Sequence, residues 1–88
     1  MRKITFTPES FSEYNEIARA DKVLHRKIIT LITDIARNPF QGIGKPEPLK
    51  YDFAGCWSRR ITQEDRLIYK VTDEEIFIVS CKEHYDDR

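Results

Sequence analysis

The chain has 88 residues, of which 40% are hydrophobic and 34% are charged, with 15 basic and 15 acidic side chains. This composition is typical of one small globular domain and argues against a disordered chain. The sequence has neither a run of about 18 apolar residues nor an apolar region after a basic start. We therefore expect no membrane span and no signal peptide, and we expect a cytoplasmic protein.

The net charge of zero hides an uneven distribution of charge along the chain. Residues 1–44 carry seven basic and five acidic side chains, and residues 45–72 carry six and four, so each segment has a net charge of +2. Residues 73–88 carry two basic and six acidic side chains, a net charge of −4. A neutral chain would by itself argue against nucleic-acid binding, but the basic charge upstream of the acidic end leaves that function open.

The N-terminal residues predict a short strand followed by a helix. Residues 2–6 alternate between polar and apolar side chains, as a strand does. Thr7 and Pro8 are typical of a helix cap and a first helical residue. Apolar residues then recur on one helical face to about Ala20.

A second helix follows directly. Asp21 can cap its start, and Pro39 ends it near Asn38 because proline cannot continue a helix. His25 lies between its charged and apolar faces, where a solvated or half-packed histidine without a role is expected. The apolar stripe of this helix consists of Leu24, Ile28, Leu31, Ile32 and Ile35.

The second half of the chain predicts a loop and a set of strands. The loop covers residues 39–49 and is rich in proline and glycine. Strands follow at about 56–61, 66–71 and 75–82, and a short additional strand at 49–52 is an open alternative. The whole chain is then a single α+β domain of order β-α-α-β-β-β, with both helices on one face of a small, mainly antiparallel sheet.

The two cysteines, Cys56 and Cys81, fall within these predicted strands. Neither CxxC spacing nor metal-ligand spacing is present. We therefore expect reduced core thiols, with a disulfide as the less favoured alternative.

Strand alternation sorts the basic side chains of the predicted sheet. In the first strand after the loop, Trp57 and Ile61 share the core face, which leaves Ser58 and Arg60 on the opposite face. Arg66 falls on that same opposite face of the next strand. Two guanidinium groups beside a restrained carboxylate suit a phosphate, although exposed arginines on a half-solvated sheet are also ordinary.

Arg59 is the exception to this pattern. By alternation it falls on the core side of its strand, where an unpaired charge is costly. We therefore expect it at an edge or a bulge of the sheet.

Two further features can carry chemistry. Glu47 lies between Pro46 and Pro48, which restrict its backbone. A catalytic base gains from being held in place, although a rigid turn with a solvated acid explains the pattern equally well. His84 and Tyr85 follow the last strand, where a frayed end is the commoner outcome. Beside a basic sheet, however, an imidazole can protonate a leaving oxygen and a tyrosine ring can stack on an unpaired base.

Four motifs in a fixed order carry a family resemblance. They are Gly44-Lys45-Pro46-Glu47-Pro48-Leu49-Lys50, Gly55-x-Trp57-Ser58-Arg59-Arg60-Ile61-Thr62, Arg66-Leu67-x-Tyr69 and His84-Tyr85. With the Asn38-Pro39-Phe40 helix exit, they make the whole chain resemble the YoeB-type toxins of the RelE/ParE superfamily. One departure is Asp65, where the family pattern usually has a histidine. An acid at this position would repel phosphates and weaken binding to RNA or the ribosome.

The resemblance implies a RelE-like fold and a ribosome-dependent messenger-RNA endonuclease, the toxin of a bacterial type II toxin–antitoxin pair. It implies Glu47 as the general base, His84 as the general acid and Arg66 as the group that stabilises the transition state. It implies neither a metal ion nor a cofactor. The residues that would support the RNA are Lys50, Arg60 and Tyr85.

The resemblance also implies partners. These are a cognate antitoxin with an acidic, extended inhibitory segment, the A site of the 30S ribosomal subunit with its messenger RNA, and operator DNA through the antitoxin; a homodimer stays open. Two other functions remain as alternatives, a non-catalytic corepressor and a ParE-like toxin directed at gyrase. The pair of Glu47 and His84 argues against the second, because poisoning gyrase needs no acid–base pair.

Overall fold

Two helices lie against a five-stranded sheet in the computed structural model, which describes residues 1–84 of the chain and only the backbone of His84. The strands are β1 (Lys3–Phe6), β2 (Glu47–Pro48), β3 (Trp57–Arg60), β4 (Asp65–Val71) and β5 (Glu75–His84), and the helices are α1 (Pro8–Ala20) and α2 (Lys22–Arg37). The strand order is β1-β5-β4-β3-β2, in which β1 and β5 are parallel and the other pairs are antiparallel. The predicted α+β fold with a mainly antiparallel sheet is confirmed.

Both helices start at the predicted caps. The Thr7 hydroxyl accepts a hydrogen bond from the Ser10 amide at 3.1 Å, and Pro8 is the first helical residue. The Asp21 carboxylate accepts one from the Leu24 amide at 3.0 Å. These side chains satisfy amides that have no partner within the helix. Within residues 1–84, neither helix is long and apolar enough to cross a membrane.

One apolar core fills the space between the helices and the sheet. Its residues come from both helices, from β4 and β5, and from the residue after β3, and each is at most 8% exposed. They are Ile17, Ile28, Leu31, Ile35, Ile61, Leu67, Tyr69, Ile76, Ile78 and Cys81. Because α1 and α2 contribute to the same cluster, both pack on one face of the sheet, as the sequence predicts.

The additional strand lies two residues earlier than the expected range of 49–52. It is formed by Glu47–Pro48, which pairs with β3. The chain then turns through a short 3₁₀ helix, in which the Phe53 amide donates to the Lys50 carbonyl at 3.2 Å and Tyr51 has a φ of 57°. Since this turn takes the chain out of the ladder, residues 49–52 cannot extend the strand.

Cys56 and Cys81 are free thiols, as expected, but only Cys81 lies in the core, because Cys56 is half-buried just before β3. Burial and the nearby charge of Glu13 raise the pKa of Cys81 to about 12. Burial also raises the pKa of Cys56, with a smaller opposing effect from the charge of Lys70. Both thiols are therefore protonated and poorly nucleophilic at neutral pH.

Candidate functional site

The sheet register brings three of the candidate residues to one face. Glu47 pairs with Ser58 across β2 and β3, and Arg60 pairs with Arg66 across β3 and β4. Opposite residues of an antiparallel pair share a face, as do residues two apart in a strand. Glu47, Arg60 and Arg66 therefore lie on the face away from the helices, on three adjacent strands whose outer members are about 10 Å apart. This confirms the placement of Arg60 and Arg66 by alternation.

Glu47 combines an exposed side chain with a fixed backbone. It is paired to β3 on one side, and three residues upstream the Gly44 carbonyl accepts a hydrogen bond from the Arg60 amide at 2.6 Å. Between them, Lys45 has a φ of 51°, and proline restricts the next position. The carboxylate is thus open to a ligand while its main chain has little freedom. Lys50, after β2, is also exposed.

Arg66 is more buried than the sequence indicates. Only 4% of it is exposed, and its Nη1 donates to the carbonyls of Thr62, Gln63 and Asp65 at 3.1, 3.1 and 3.2 Å. The expected open face is therefore wrong at this position, because the guanidinium folds back over the β3–β4 connection to satisfy its carbonyls. Ser58, also assigned to the open face, is 1% exposed.

Arg59 is fully buried beneath the loop that precedes β2, not at an edge or a bulge, so that expectation is wrong. Each of its five N–H groups has an acceptor. Nε donates to the Tyr69 hydroxyl (3.0 Å), Nη1 to the Asp34 carboxylate (2.7 Å) and the Ile43 carbonyl (2.8 Å), and Nη2 to the carbonyls of Asn38 (2.8 Å) and Gln41 (3.1 Å). A charge can be buried when it is paired and fully hydrogen-bonded, and alternation alone cannot reveal such acceptors.

Asp34 and Tyr69 complete this network. The Asp34 carboxylate also accepts from the Ile43 amide at 3.1 Å, and the hydrogen bond from Arg59 is the main cause that holds the pKa of Asp34 below its ordinary value. The Tyr69 hydroxyl donates to the Pro39 carbonyl at 2.6 Å. Burial raises the pKa of Tyr69, so the hydroxyl keeps the proton that this bond needs.

The last strand carries the candidate acid. The register pairs Glu83 with Arg66 and the His84 backbone with Asp65, after two irregularities in the β4–β5 ladder. The chain therefore brings His84 alongside the end of β4 from which Arg66 comes. The side chain of His84 and all of Tyr85 lie outside the described residues, so the roles predicted for them stay predictions.

A carboxylate from α1 fixes this end of β5. Glu13 Oε1 accepts hydrogen bonds from the Cys81 amide at 2.8 Å and from the Ser80 hydroxyl at 3.2 Å. These bonds fall where the ladder with β4 shifts register. Glu13 therefore supplies an acceptor at a point where regular strand pairing is interrupted.

A groove of about 810 Å³ runs between α2 and the residues on either side of β3. Its cationic lining comes from Arg26, Lys27, Lys45 and Arg60, and its apolar lining from Val23, Leu31, Ile43 and Ile61. The remaining lining residues are neutral, so no acidic side chain among residues 1–83 borders the groove. Such a surface suits a ligand that has both apolar and anionic groups.

His25 is half-packed, as expected, with its ring 4.6 Å from that of Tyr14. It lies on the helix side, away from the face of Glu47. In the part of the chain that the structure describes, no three His, Cys, Asp or Glu side chains gather closely enough to hold a metal ion.

Known proteins that match this chain are bacterial toxins. A family model for the YoeB-like toxin of bacterial type II toxin–antitoxin systems matches residues 6–85. Toxin YoeB of Streptomyces coelicolor is 49% identical over 83 residues, which cover 94% of this chain and 99% of the relative.

Two solved structures from Staphylococcus aureus share the fold. A YoeB dimer superposes with a TM-score of 0.88 at 47% identity, covering 96% of this chain and 98% of that chain. A heterotetrameric YoeB–YefM toxin–antitoxin complex gives a TM-score of 0.86 at 46% identity, covering 97% and 99%. The fold and these matches define a toxin of the RelE/ParE superfamily. Within that class, the chain belongs to the YoeB-like toxins of bacterial type II toxin–antitoxin systems.

Proposed function

We propose that this toxin is a ribosome-dependent endoribonuclease that cuts messenger RNA in the ribosomal A site and so stops translation in the cytoplasm. The observation that carries the proposal is the face shared by Glu47, Arg60 and Arg66 on three adjacent strands. This combination suits a phosphodiester next to a 2′-hydroxyl. The carboxylate can take a proton, and the guanidinium groups can meet the charge on the phosphoryl oxygens.

The reaction transfers the phosphoryl group from the 5′-oxygen of one nucleotide to the 2′-oxygen of the preceding ribose. Glu47 takes the proton of the ribose 2′-hydroxyl, and that oxygen attacks the adjacent phosphorus. The bond from phosphorus to the 5′-oxygen breaks, and His84 gives its proton to that oxygen. The products are a 2′,3′-cyclic phosphate and a 5′-hydroxyl, and each acid–base group contributes roughly 10²–10⁴-fold in rate.

Arg66 suits the role of stabilising the transition state because it is already fixed. Three carbonyls hold its Nη1, so the guanidinium does not need to reorient when charge develops on the phosphate. Prearranged charge of this kind is the most effective form of electrostatic catalysis. Arg60, its partner across the strands, assists at the phosphate. Lys50 contacts the RNA backbone, and Tyr85 stacks on a base.

The test compares Glu47→Gln and His84→Gln with wild type by primer extension on translating ribosomes. Each substitution keeps side-chain size and removes an acid–base group, so cleavage should fall by roughly 10²–10⁴-fold. Glu64→Gln, an exposed acid between β3 and β4, is the matched control and should cleave normally. Wild-type cleavage by both active-site variants would overturn the mechanism. Toxicity without RNA cleavage would favour a non-catalytic or gyrase-directed toxin.

Arg66→Ala separates catalysis from binding. The contact strengthens only as charge develops, so the substitution should slow single-turnover cleavage more than it weakens ribosome binding. An equal loss in both would mean that Arg66 holds the substrate in the ground state.

The partner that we propose is an antitoxin whose acidic, apolar segment lies in the groove beside α2 and continues past Arg60 to Lys50. The Staphylococcus aureus relative was solved in complex with YefM. In this chain the lining of the groove supports such a segment, because it combines cationic side chains with apolar ones. Arg60 lines this groove and also belongs to the strand between Glu47 and Arg66, so a partner in the groove lies at the edge of the candidate active site, where it can hinder the approach of RNA.

Calorimetric titration of the cognate antitoxin at two salt concentrations tests this assignment. Affinity should fall as salt rises, because exposed ion pairs are screened. Lys27→Glu should weaken binding, whereas Lys22→Glu, at the start of α2 and outside the groove, should have little effect. Affinity that is independent of salt and equal in the two variants would place the antitoxin elsewhere.

A further inference from the structure

We propose that Arg59 is the positioning residue of Glu47: from beneath the loop, its guanidinium holds residues 38–44 in the shape that delivers Glu47 to the sheet. The inference rests on the proposed role of Glu47 as the general base. Arg59 itself is buried and faces the helices, so it acts through the loop and not on the RNA.

The contacts of Arg59 are concentrated on this loop. Its guanidinium binds the carbonyls of Asn38, Gln41 and Ile43, three groups spread over six consecutive residues. A loop has no ladder to satisfy its carbonyls, and buried carbonyls need partners. The Arg59 side chain therefore supplies hydrogen bonds to the main chain of this loop, as the paired strand β3 does for β2. Lysine could not replace it, because a single ammonium group cannot reach acceptors arranged around a planar fork.

The same strand also holds the far end of the loop. Arg59 stands between Ser58, which pairs with Glu47, and Arg60, whose amide binds the Gly44 carbonyl. The Arg59 side chain thus fixes the start of the loop, and the main chain of β3 fixes its end. Glu47 is only three residues beyond Gly44, so a displacement of the loop would pass directly to the carboxylate.

The loop also lies too close to the core to take up another shape easily. A Cβ on Gly42, which has a φ of 132°, would be 2.0 Å from Asp34 Oδ2. That oxygen is held by Arg59 and by the Ile43 amide, so it cannot move without breaking the network. Tyr69 supports the arrangement from β4 by accepting from Arg59 Nε and donating to the carbonyl of Pro39.

The test uses Arg59→Lys and Tyr69→Phe, which keep the charge and the ring respectively. Ile35→Val is the control, since it removes one buried methylene from the core side of α2 and none of the loop's hydrogen bonds. All are assayed at a temperature at which circular dichroism shows them folded. A base misplaced by about 1 Å can lose about 10²-fold in rate. Arg59→Lys should therefore slow single-turnover cleavage on saturating programmed ribosomes by about 10–100-fold, and Tyr69→Phe by less. Ribosome affinity should stay within about 3-fold, and Ile35→Val should cleave as wild type.

A double-mutant cycle separates positioning from general weakening of the fold. In a Glu47→Gln background, Arg59→Lys should cause no further loss of the residual cleavage, because the group that it positions is already gone. A further loss as large as in the wild-type background would overturn the proposal. So would wild-type rates in folded Arg59→Lys. A fall in ribosome affinity with the cleavage rate unchanged would assign the loop to binding and overturn it as well.

Amide hydrogen exchange gives a readout that does not need cleavage. Arg59→Lys should speed exchange of the Ile43 amide by at least about tenfold while leaving Ile17 in α1 unchanged. Unchanged exchange at Ile43 would overturn the positioning role. If wild type and Glu47→Gln cleave equally, the proposed function fails instead, and the exchange result still decides whether Arg59 holds the loop.

Discussion

The two ends of the candidate site are held by different physical means. The loop before Glu47 is fastened from the core by one buried guanidinium with acceptors on the loop, α2 and β4. The end of β5 before His84 is held by backbone pairing with β4 and by the Glu13 carboxylate where that pairing is irregular. The Arg59 side chain is therefore the main support of the loop, with the β3 main chain at its far end, whereas backbone pairing is the main support of β5.

Gly42→Ala should have the largest effect on the loop side. It forces a φ of 132° on alanine and places a Cβ 2.0 Å from Asp34 Oδ2, which must move and break its bond to Arg59. Backbone strain and a broken ion pair to the buried Arg59 together should cost about 3 kcal/mol in unfolding free energy. Gly55→Ala is the matched control, because Gly55 has a φ of 92° but nothing within 4 Å of its Cβ.

Urea denaturation of the two variants measures the difference. Gly55→Ala should lose about 1–2 kcal/mol from backbone strain alone. If both alanine variants lose the same free energy, the loop can move away from Asp34, and the region is less tightly fixed than the network of Arg59 indicates.

Asp34→Asn should show the next largest effect, and the effect should depend on pH. An amide keeps the shape of the side chain and leaves the charge of Arg59 without its partner, so we expect a loss of about 2 kcal/mol at neutral pH. Arg59 lowers the pKa of Asp34 below its unfolded value of about 3.9, so ionised Asp34 stabilises the fold above that pH. This contribution disappears as the pH falls through the folded pKa.

Stability measured between pH 7 and pH 2 tests this sign. The difference between wild type and Asp34→Asn should be constant above about pH 5 and shrink as the pH falls below about 4. A difference that stays constant down to pH 2 would mean that the charge of Asp34 does not matter to the loop.

Glu13→Ala should have a smaller and more local effect on the β5 side. It removes the acceptor of the Cys81 amide and the Ser80 hydroxyl, which should cost about 1–2 kcal/mol. Glu16→Ala is the control on the same helix. Its ion pair with Lys82 spans 3.5 Å, with side chains 64% and 50% exposed, and should contribute about 0.5 kcal/mol or less. Urea denaturation gives both values, and equal losses would show that Glu13 does not fasten the strand.

The sequence predicts those parts of the fold that local patterns determine. Thr7 and Asp21 mark the helix starts, and strand alternation places Arg60 and Arg66 on one face. It does not predict the network of Arg59, because the partners lie as far as 25 residues away, at Asp34. Two features of the sequence do indicate such an ion pair. Arg59 is a charged residue at a core position of β3, and Asp34 is an acid beside the apolar stripe of α2.

Only part of the geometry of the candidate site can be predicted from the sequence. Alternation assigns Arg66 to the correct face but not its burial, since that depends on how its side chain folds over the carbonyls after β3. The turn after β2 was also missed, because a 3₁₀ helix over Tyr51–Phe53 has no apolar period to reveal it. The assignments of Glu47, Arg66 and His84 as catalytic groups stay predictions until the cleavage assays are done.

The smallest effect concerns the two thiols: Cys81 lies in β5, and Cys56, just before β3, serves as an internal reference for its labelling. Burial raises the pKa of Cys81 to about 12 and also hides its sulfur from reagents, so iodoacetamide should label Cys56 first. Glu13→Ala removes the nearby charge and loosens β5, so it should speed labelling of Cys81 relative to Cys56. Gly42→Ala disturbs the loop and its contacts with Asp34 and Arg59 but no contact of β5, so it should leave that ratio unchanged while the protein stays folded. Mass spectrometry of the alkylated peptides measures both ratios. Faster Cys81 labelling in Gly42→Ala below the unfolding transition would show that the two regions open together.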